Sequence, residues 1–432
     1  MNSRRKQAGA QSLPPNKTSY LPPEIWRDII TFCTHVPGAL ADDVREDIQP
    51  LTFLNSEDWE PELHTIERYA INESMRTKLS LSLVSRGFHS IAIESFYEIL
   101  PIRGPRQLFL LAKQPRETPS LAERIGKWTR RFEFGINIPD VGRMCIDPER
   151  DRLCTIAIRD VVRCCRDLTH FFIDVAGLCW IGADCVLGAC RSNCHTVKVL
   201  RWGVSVSGVV ETSDVLHAFP NIREFQFRYC DLLSGPLLCT EYPSMTNLHT
   251  LDGGLQDVTS TFADASLPAL SVVRFRRDPP HVSDFELTEG TTIERFLSNH
   301  RNTIRSITAI TLYRLIEFEV ACCAQIKELI TGVDDLLEFG VKAPQPFVAR
   351  LGLSVSSTDL LMQGIDTLME IFKEYFPNLQ FLRIVEKAAF VVLCMKYPHA
   401  LRYWARRLQS VGITLEEPTG KTINTLPNNN VP

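Results

Sequence analysis

Residues 197–202 read Val197-Lys198-Val199-Leu200-Arg201-Trp202, and residues 222–227 read Ile222-Arg223-Glu224-Phe225-Gln226-Phe227. Both segments have apolar residues at their first, fourth and sixth positions. The last three positions alternate between apolar and polar residues, which is typical of a β-strand with one buried face. The two segments therefore predict two short strands with the same spacing.

The same spacing recurs along the chain beyond residue 120. Four further segments have all three apolar positions, two have only the first two, and one is a degenerate copy: Leu168-Phe171-Ile173, Leu270-Val273-Phe275, Leu336-Phe339-Val341, Leu379-Leu382-Ile384; Leu248-Leu251, Ile304-Ile307; Thr129-Phe132-Phe134. Several copies follow a turn such as Phe219-Pro220-Asn221 or Phe376-Pro377-Asn378, which ends a helix and begins a strand. Repeated short strands are therefore predicted.

The segments between these strands mostly predict helices. The clearest is a single apolar stripe at helical spacing, Leu361, Ile365, Leu368, Phe372 and Phe376. Strands and helices that alternate in this way, with strands too short to bury themselves, indicate a leucine-rich-repeat-like solenoid of class α/β over residues 101–410. The alternative is an ordinary doubly wound α/β domain. Residues 411–432 are predicted to be a flexible tail.

The amino-terminal part has a different pattern. Residues 1–20 are polar and basic and predict a disordered tail, whereas Pro22 and Pro23 with Glu24 predict the start of a helix that stops at Pro37-Gly38. A second helical pattern, Leu81-Val84-Phe88-Ile91, is predicted to continue to Leu100. Together these patterns predict a helical module over residues 21–100.

An acidic insertion, residues 37–78, separates the two helical patterns. Between Asp42 and Glu62 it contains eight acidic residues and Arg45 as its only Lys or Arg. We expect an exposed loop with a short helix around residues 62–72, and a specific acidic docking site is the alternative.

Two sequence motifs in this module resemble the F-box family. The opening, Leu21-Pro22-Pro23-Glu24-Ile25, is similar to the family's L-P-x-E start, and the closing segment, Val84-Ser85-Arg86-Gly87-Phe88-His89-Ser90-Ile91-Ala92, is similar to its V-[CS]-R-x-[WF]-x-x-[IL]-A end. The chain departs from the family in its long insertion and in Phe88, where tryptophan is more usual. F-box proteins with leucine-rich-repeat-like tails are numerous in mushroom-forming fungi.

The resemblance implies a receptor subunit of a Skp-cullin-F-box ubiquitin ligase, in which the module docks a Skp-type adaptor and the repeats select a substrate protein. The candidate adaptor contacts are Leu21, Pro22, Glu24, Ile25, Ile29, Val84 and Phe88. Burial inside the module is the alternative for these side chains. A repeat-type interaction scaffold without ligase engagement is the alternative function.

The strand pattern also predicts a substrate surface. Residues between and just after the last two apolar anchors should point out from the concave face: Phe172, Asp174, Arg201, Gln226, Arg228, Asp252, Arg274, Arg276, Lys342 and Arg383. Cations outnumber acids in this set, which suits an acidic or phosphorylated segment. The candidate substrate contacts are therefore Arg201, Arg228, Arg274, Arg276 and Arg383. These residues could equally attract the chain's own acidic insertion, and solvated strand edges without a ligand are the other alternative.

Composition argues against several other classes. With 47 Lys and Arg against 51 Asp and Glu, the net charge of −4 disfavours a nucleic-acid-coating protein. No membrane-spanning stretch or secretory signal is expected, so the cytoplasm or nucleus is predicted. The 14 cysteines are expected to be free core thiols, and the group Cys179, Cys185, Cys190, Cys194 and His195 lacks the usual zinc spacing. Without a catalytic motif, we expect no enzyme, cofactor or metal.

Overall fold

The structure is a computed structural model that describes residues 21–36, 39–40, 59–135, 148–175, 183–204, 212–228, 243–276, 289–309, 325–339, 341, 344–418 and 420–423. Within these ranges it contains one parallel sheet of twelve strands: β1 Ile99–Ile102, β2 Arg131–Gly135, β3 His170–Val175, β4 Val199–Val204, β5 Glu224–Arg228, β6 Thr250–Gly254, β7 Val272–Arg276, β8 Ser306–Ala309, β9 Glu328–Gly332, β10 Arg350–Ser354, β11 Phe381–Ile384 and β12 Thr414–Glu416. The strands are paired in chain order, as in a repeat solenoid. A doubly wound sheet, by contrast, reverses its strand order.

Helices precede and separate these strands. Those described are α1 Pro23–Thr34, α2 Trp59–Ser82, α3 Arg86–Glu98, α4 Pro105–Glu117, α5 Pro119–Trp128, α6 Pro148–Cys164, α7 Ala183–Asn193, α8 Thr212–Ala218, α9 Pro243–Asn247, α10 Leu255–Phe262, α11 Glu289–His300, α12 Val333–Phe339, α13 Thr358–Tyr375, α14 Lys387–Lys396 and α15 Pro398–Ser410. No helix in the described ranges is long and apolar enough to cross a membrane.

The hydrophobic core lies between the sheet and the helices and runs along the whole solenoid. The predicted anchors Leu200 and Trp202 of β4 and Phe225 and Phe227 of β5 are fully buried in it. Because each strand is short, its anchors are covered by helices and by neighbouring repeats, and the core is continuous.

Backbone hydrogen bonds just before the strands join successive repeats. The N–H of Lys198 donates to the carbonyl of Thr169 at 2.9 Å, and the N–H of Arg223 donates to the carbonyl of Lys198 at 2.7 Å. The asparagines of the Pro-Asn turns add side-chain bonds: Asn221 donates to the carbonyl of His195, and Asn378 to that of Pro346. These turns therefore hold one repeat to the preceding one.

Several local predictions are wrong. The segment Leu336-Phe339-Val341 is not a strand, because its first two residues belong to α12, which opens with Asp334 and Asp335 at its positively polarised end. The strands of this region are β9 and β10, and β10 follows the same apolar spacing at Val348, Leu351 and Leu353. The predicted flexible tail 411–432 contains β12, which extends the sheet beyond residue 410 because Ile413 and Leu415 are buried.

The helical module also differs from its prediction. The acidic insertion contains most of α2, a helix of 24 residues, where a loop with a short helix was expected; residues 41–58 and the predicted tail 1–20 lie outside the described residues. The helix predicted through Leu100 ends at Glu98, and Ile99 begins β1 because Pro101 cannot donate a helical hydrogen bond.

Ser85 separates α2 from α3. Its backbone is extended, and its Oγ accepts a hydrogen bond from the N–H of Phe88 at 3.2 Å, so that it caps the amino terminus of α3. We expect Ser85→Ala to lower the free energy of unfolding by about 1 kcal/mol in urea titrations followed by circular dichroism. Ser90→Ala, in the same helix, is the control because Ser90 bonds to a carbonyl within its own turn. An equal loss in both variants would contradict the cap.

Candidate functional site

The first helix has an apolar face that the rest of the described chain does not cover. Leu21, Ile25, Ile29 and Phe32 are all exposed, and Phe32 is 85% exposed. Ile25, Ile29 and Phe32 are spaced four and three residues apart and so lie along one side of α1, and Leu21 lies just before the helix begins. We call these four side chains the α1 stripe. Such a row of exposed large apolar residues is typical of a surface that binds another molecule.

The opposite side of α1 is fixed to α2 and α3. Ile30 is buried, the Trp26 and Phe88 ring centroids are 4.8 Å apart, and Arg27 lies 3.7 Å from Glu94 in an ion pair. The Ser74 hydroxyl donates to the Thr34 carbonyl at 2.6 Å. These contacts orient the helix, so the α1 stripe is held outward.

The predicted adaptor contacts therefore fall into two groups. Leu21, Pro22, Glu24, Ile25, Ile29 and Val84 are exposed, whereas Phe88 is half-buried against Trp26. The structure thus brings both sequence motifs into one helical module, with Phe88 acting partly in its packing.

Some exposed apolar residues of the module are not among the predicted contacts. Phe32 continues the α1 stripe at the same helical spacing, and this spacing would have identified it. Leu79 and Leu83 are exposed near the end of α2, and Leu83 adjoins Val84, which is 66% exposed. Their exposure follows from where α2 ends, which the sequence pattern did not indicate.

The sheet has a second face, made of the strand residues that alternate with the core anchors. Pairing places Glu133 beside Phe172, Phe172 beside Arg201, and Arg201 beside Gln226; the row continues through Asp252 and Arg274. We call this the strand face. Most of these residues are buried: Arg201 is 8% exposed and Asp252 is fully buried.

Charges on the strand face neutralise one another. At its amino-terminal end, Glu133 accepts from Arg103 Nη1 at 2.5 Å and from Arg131 Nη2 at 3.1 Å. Burial raises the pKa of the Glu133 carboxyl, but the two guanidinium groups outweigh it and lower the pKa to about 2. The ring of Phe172 lies between the Arg131 and Arg201 guanidinium groups, at 4.3 and 4.4 Å. These cations are therefore engaged within the chain.

Two of the five candidate substrate contacts, Arg201 and Arg383, do not point into solvent as predicted. Arg201 is buried and donates to Gln226 Oε1 at 2.8 Å, and Arg383, 1% exposed, donates to Glu416 Oε2 at 2.9 Å. Arg274 is partly exposed and lies 3.7 Å from Glu224 in an ion pair. The partner of Arg201 is itself a predicted strand-face residue, whereas Glu416 and Glu224, the acidic partners of Arg383 and Arg274, were not in the predicted set.

The other charged residues predicted for the strand face are not among those described. Lys342 and the side chains of Asp174, Arg228 and Arg276 lie outside the described residues.

Four of the described cysteines contribute to packing, whereas Cys33 is exposed and is not the core thiol that was expected. Cys154, Cys165, Cys190 and Cys194 are buried thiols on or beside α6 and α7, and Cys179 lies outside the described residues. Burial raises the pKa of the Cys165 thiol to about 12 and also raises that of Cys190, which disfavours reactive thiolates. Among described residues, no group of three or more His, Cys, Asp or Glu side chains could hold a metal ion.

No protein-family model and no curated protein matches the sequence. Among solved structures, the chain is similar to the leucine-rich repeat-containing protein LegL7 from Legionella pneumophila, with 11% sequence identity and a TM-score of 0.39 over 71% of this chain and 91% of that chain. Any inference on function therefore starts from the surfaces of this chain.

Proposed function

We propose that the protein is a protein-interaction scaffold in which the amino-terminal helical module docks one partner and the repeat solenoid selects another. In its specific form, the proposal is that the module binds a Skp-type adaptor and through it a cullin, so that the chain is the substrate receptor of a ubiquitin ligase. The chain itself would have no catalytic role, bind no cofactor, and act in the cytoplasm or nucleus.

The α1 stripe is the observation that carries this proposal. A docking surface needs large apolar side chains outside the core of their own module, because a few such anchors supply most of the binding energy. Leu21, Ile25, Ile29 and Phe32 meet this requirement, while Ile30 and Trp26 hold the helix in place from its other side. An apolar helix face of this kind suits a partner with a hydrophobic groove.

The two F-box-like motifs support a Skp-type adaptor as the specific partner. The two segments with F-box-like motifs, Leu21 to Ile25 and Val84 to Ala92, include the first residues of α1 and α3, and these helices pack against each other, with Trp26 on Phe88. The alternative is a scaffold that uses the same α1 stripe for a partner unrelated to ubiquitin ligases. The two proposals differ only in the identity of that partner.

The test is binding of purified Skp-type adaptor to the full chain, measured by titration calorimetry. We expect wild-type binding and a loss of affinity of about 100-fold or more in the double variant Ile25→Asp with Phe32→Asp, since two central anchors each contribute about 2 kcal/mol. Both side chains are exposed, so the fold should persist.

The matched control is Leu110→Asp on α4, because Leu110 is 56% exposed and lies outside the helical module. It should bind the adaptor as the wild type does, and all variants should show the same circular dichroism spectrum. Failure of the wild type to bind would exclude the ligase proposal and leave the scaffold. Wild-type binding that the double variant retains would exclude the α1 stripe as the docking surface.

A further inference from the structure

A second exposed apolar surface lies at the carboxyl-terminal end of the solenoid. On α14, Val391, Val392 and Met395 are exposed, and Met395 is 80% exposed; on α15, which follows after Tyr397 alone, Tyr403 is exposed. We call these four side chains the C-terminal surface. They are not part of the solenoid core, whose side chains from these helices are Leu393 of α14 and Leu401, Trp404, Ala405 and Leu408 of α15.

Both helices are firmly attached to the solenoid. Glu386, which immediately precedes α14, accepts a hydrogen bond from the N–H of Val355 at 2.8 Å. At the end of the same helix, Lys396 Nζ lies 2.8 Å from Asp359 at the start of α13. Farther on, Arg407 of α15 forms an ion pair with Asp366 of α13. The C-terminal surface is therefore presented on fixed helices.

The sequence of these two helices is basic. Residues 387–410 contain five cations and no acidic residue, although the whole chain has a net charge of −4: Lys387, Lys396, Arg402, Arg406 and Arg407. Asp359 and Asp366 of α13 pair with Lys396 and Arg407, Glu370 of α13 also interacts with Arg407, and Glu417 interacts with Cys394 of α14. Arg406 is exposed, lies about one helical turn from Tyr403, and forms no ion pair within the described part of the chain.

We propose that the C-terminal surface binds an acidic amphipathic segment of a partner protein. The apolar face of that segment would cover Val391, Val392 and Met395, and its carboxylates would lie near Arg406. A flexible methionine side chain adapts to different apolar partners, and Arg is the cation that pairs best with carboxylates. An anionic membrane is a less suitable partner, since the exposed apolar residues of α14 include no Trp, Phe or Leu. This proposal is independent of adaptor docking.

The test uses the full chain and fluorescently labelled designed peptides in anisotropy titrations. One 18-residue peptide has leucines at helical spacing and glutamates elsewhere, and a second has lysines in place of the glutamates. We expect the glutamate peptide to bind at least about tenfold more tightly than the lysine peptide. The double variant Val391→Ser with Met395→Ser should bind the glutamate peptide about tenfold more weakly. Arg406→Glu should also lower the affinity for this peptide and reduce the dependence of that affinity on salt.

Leu110→Ser on α4 is the matched control, as an equally accessible apolar residue at another site. It should bind the glutamate peptide like the wild type. Equal affinity for the two peptides, or glutamate-peptide binding that the variants leave unchanged, would overturn the proposal. Binding to phosphatidylserine vesicles that the same variants abolish would also overturn it, because it would assign the surface to a membrane.

Discussion

Replacing Glu133 with glutamine is expected to lower the free energy of unfolding by about 3–5 kcal/mol. The carboxylate of Glu133 neutralises Arg131, which is 1% exposed, and also pairs with Arg103 at 2.5 Å. Glutamine keeps the shape of the side chain but leaves the buried guanidinium of Arg131 without its ionic partner. Guanidinium chloride titrations at pH 7 would measure the loss as a lower midpoint with an unchanged slope.

The same variant should change the response to acid. The pKa of Glu133 in the folded protein is about 2, below its ordinary value of 4.5. Its contribution to stability is therefore complete above pH 4.5 and is lost as the pH falls towards 2. The difference in stability between wild type and Glu133→Gln should shrink over this interval.

The control for this prediction is Glu149→Gln on α6, since Glu149 forms an exposed ion pair with Arg152. Its midpoint should stay close to that of the wild type. A Glu133 variant as stable as this control, or a stability difference that does not vary with pH below 4.5, would contradict the role given to the buried carboxylate.

The repeat pattern predicted most of the sheet because the apolar spacing depends on a local property, the alternation of faces along a strand. It correctly indicated the regions of β2 to β8 and of β11. It failed where a segment with the same spacing lay in a helix, as at Leu336 and Phe339, and it missed four strands, β1, β9, β10 and β12. At Leu336 and Phe339 the neighbouring chain decides the structure, and six residues of sequence do not contain that information. β10, by contrast, has the repeat spacing at Val348, Leu351 and Leu353 and could have been identified from it.

The strand face shows why surface predictions from one strand are weaker than core predictions. Arg201 and Arg383 alternate with buried anchors, so a single strand indicates that they point away from the core. Whether they meet solvent depends on the residues beside them on other strands, and these are Gln226 and Glu416, 25 and 33 positions away. Pairing register is a long-range property, so the local motif could not show that these cations are already paired.

In the helical module, by contrast, exposed residues were predicted correctly and the extent of a helix was not. The exposed Leu21 and Ile25 belong to the motif that opens the first helix, and Ile29 follows Ile25 on the same side by helical periodicity. The extent of α2 was not predicted, because its sequence is acidic and mostly polar at its start and has no clear apolar stripe there. Its later residues Ile71 and Met75 nevertheless pack with Val36 and Ile99 beside the sheet. The residues of α2 that make tertiary contacts therefore lie in its later part, and the sequence pattern of its first part does not predict a helix.

The junction between this module and the solenoid leads to the second prediction with a large effect. Gly126 lies on α5, which packs against α3 of the module on one side and α6 of the solenoid on the other. A Cβ atom at Gly126 would lie 1.9 Å from the carbonyl oxygen of Cys164, at the end of α6. Because the obstructing atom belongs to the backbone, no side-chain rotation can relieve the overlap, and one helix must move.

We therefore expect Gly126→Ala to lower the free energy of unfolding by about 3 kcal/mol, the upper end of typical overpacking costs, in urea titrations followed by circular dichroism. Gly188→Ala is a control for which we expect the opposite change in stability. Gly188 lies inside α7, is exposed, and has no atom within 4 Å of its added Cβ, so alanine should stabilise the protein by about 0.5–1 kcal/mol through its higher helix propensity. If Gly126→Ala proved neutral or stabilising like Gly188→Ala, α5 and α6 could not pack as closely as described, and the module would not be held to the solenoid at this crossing.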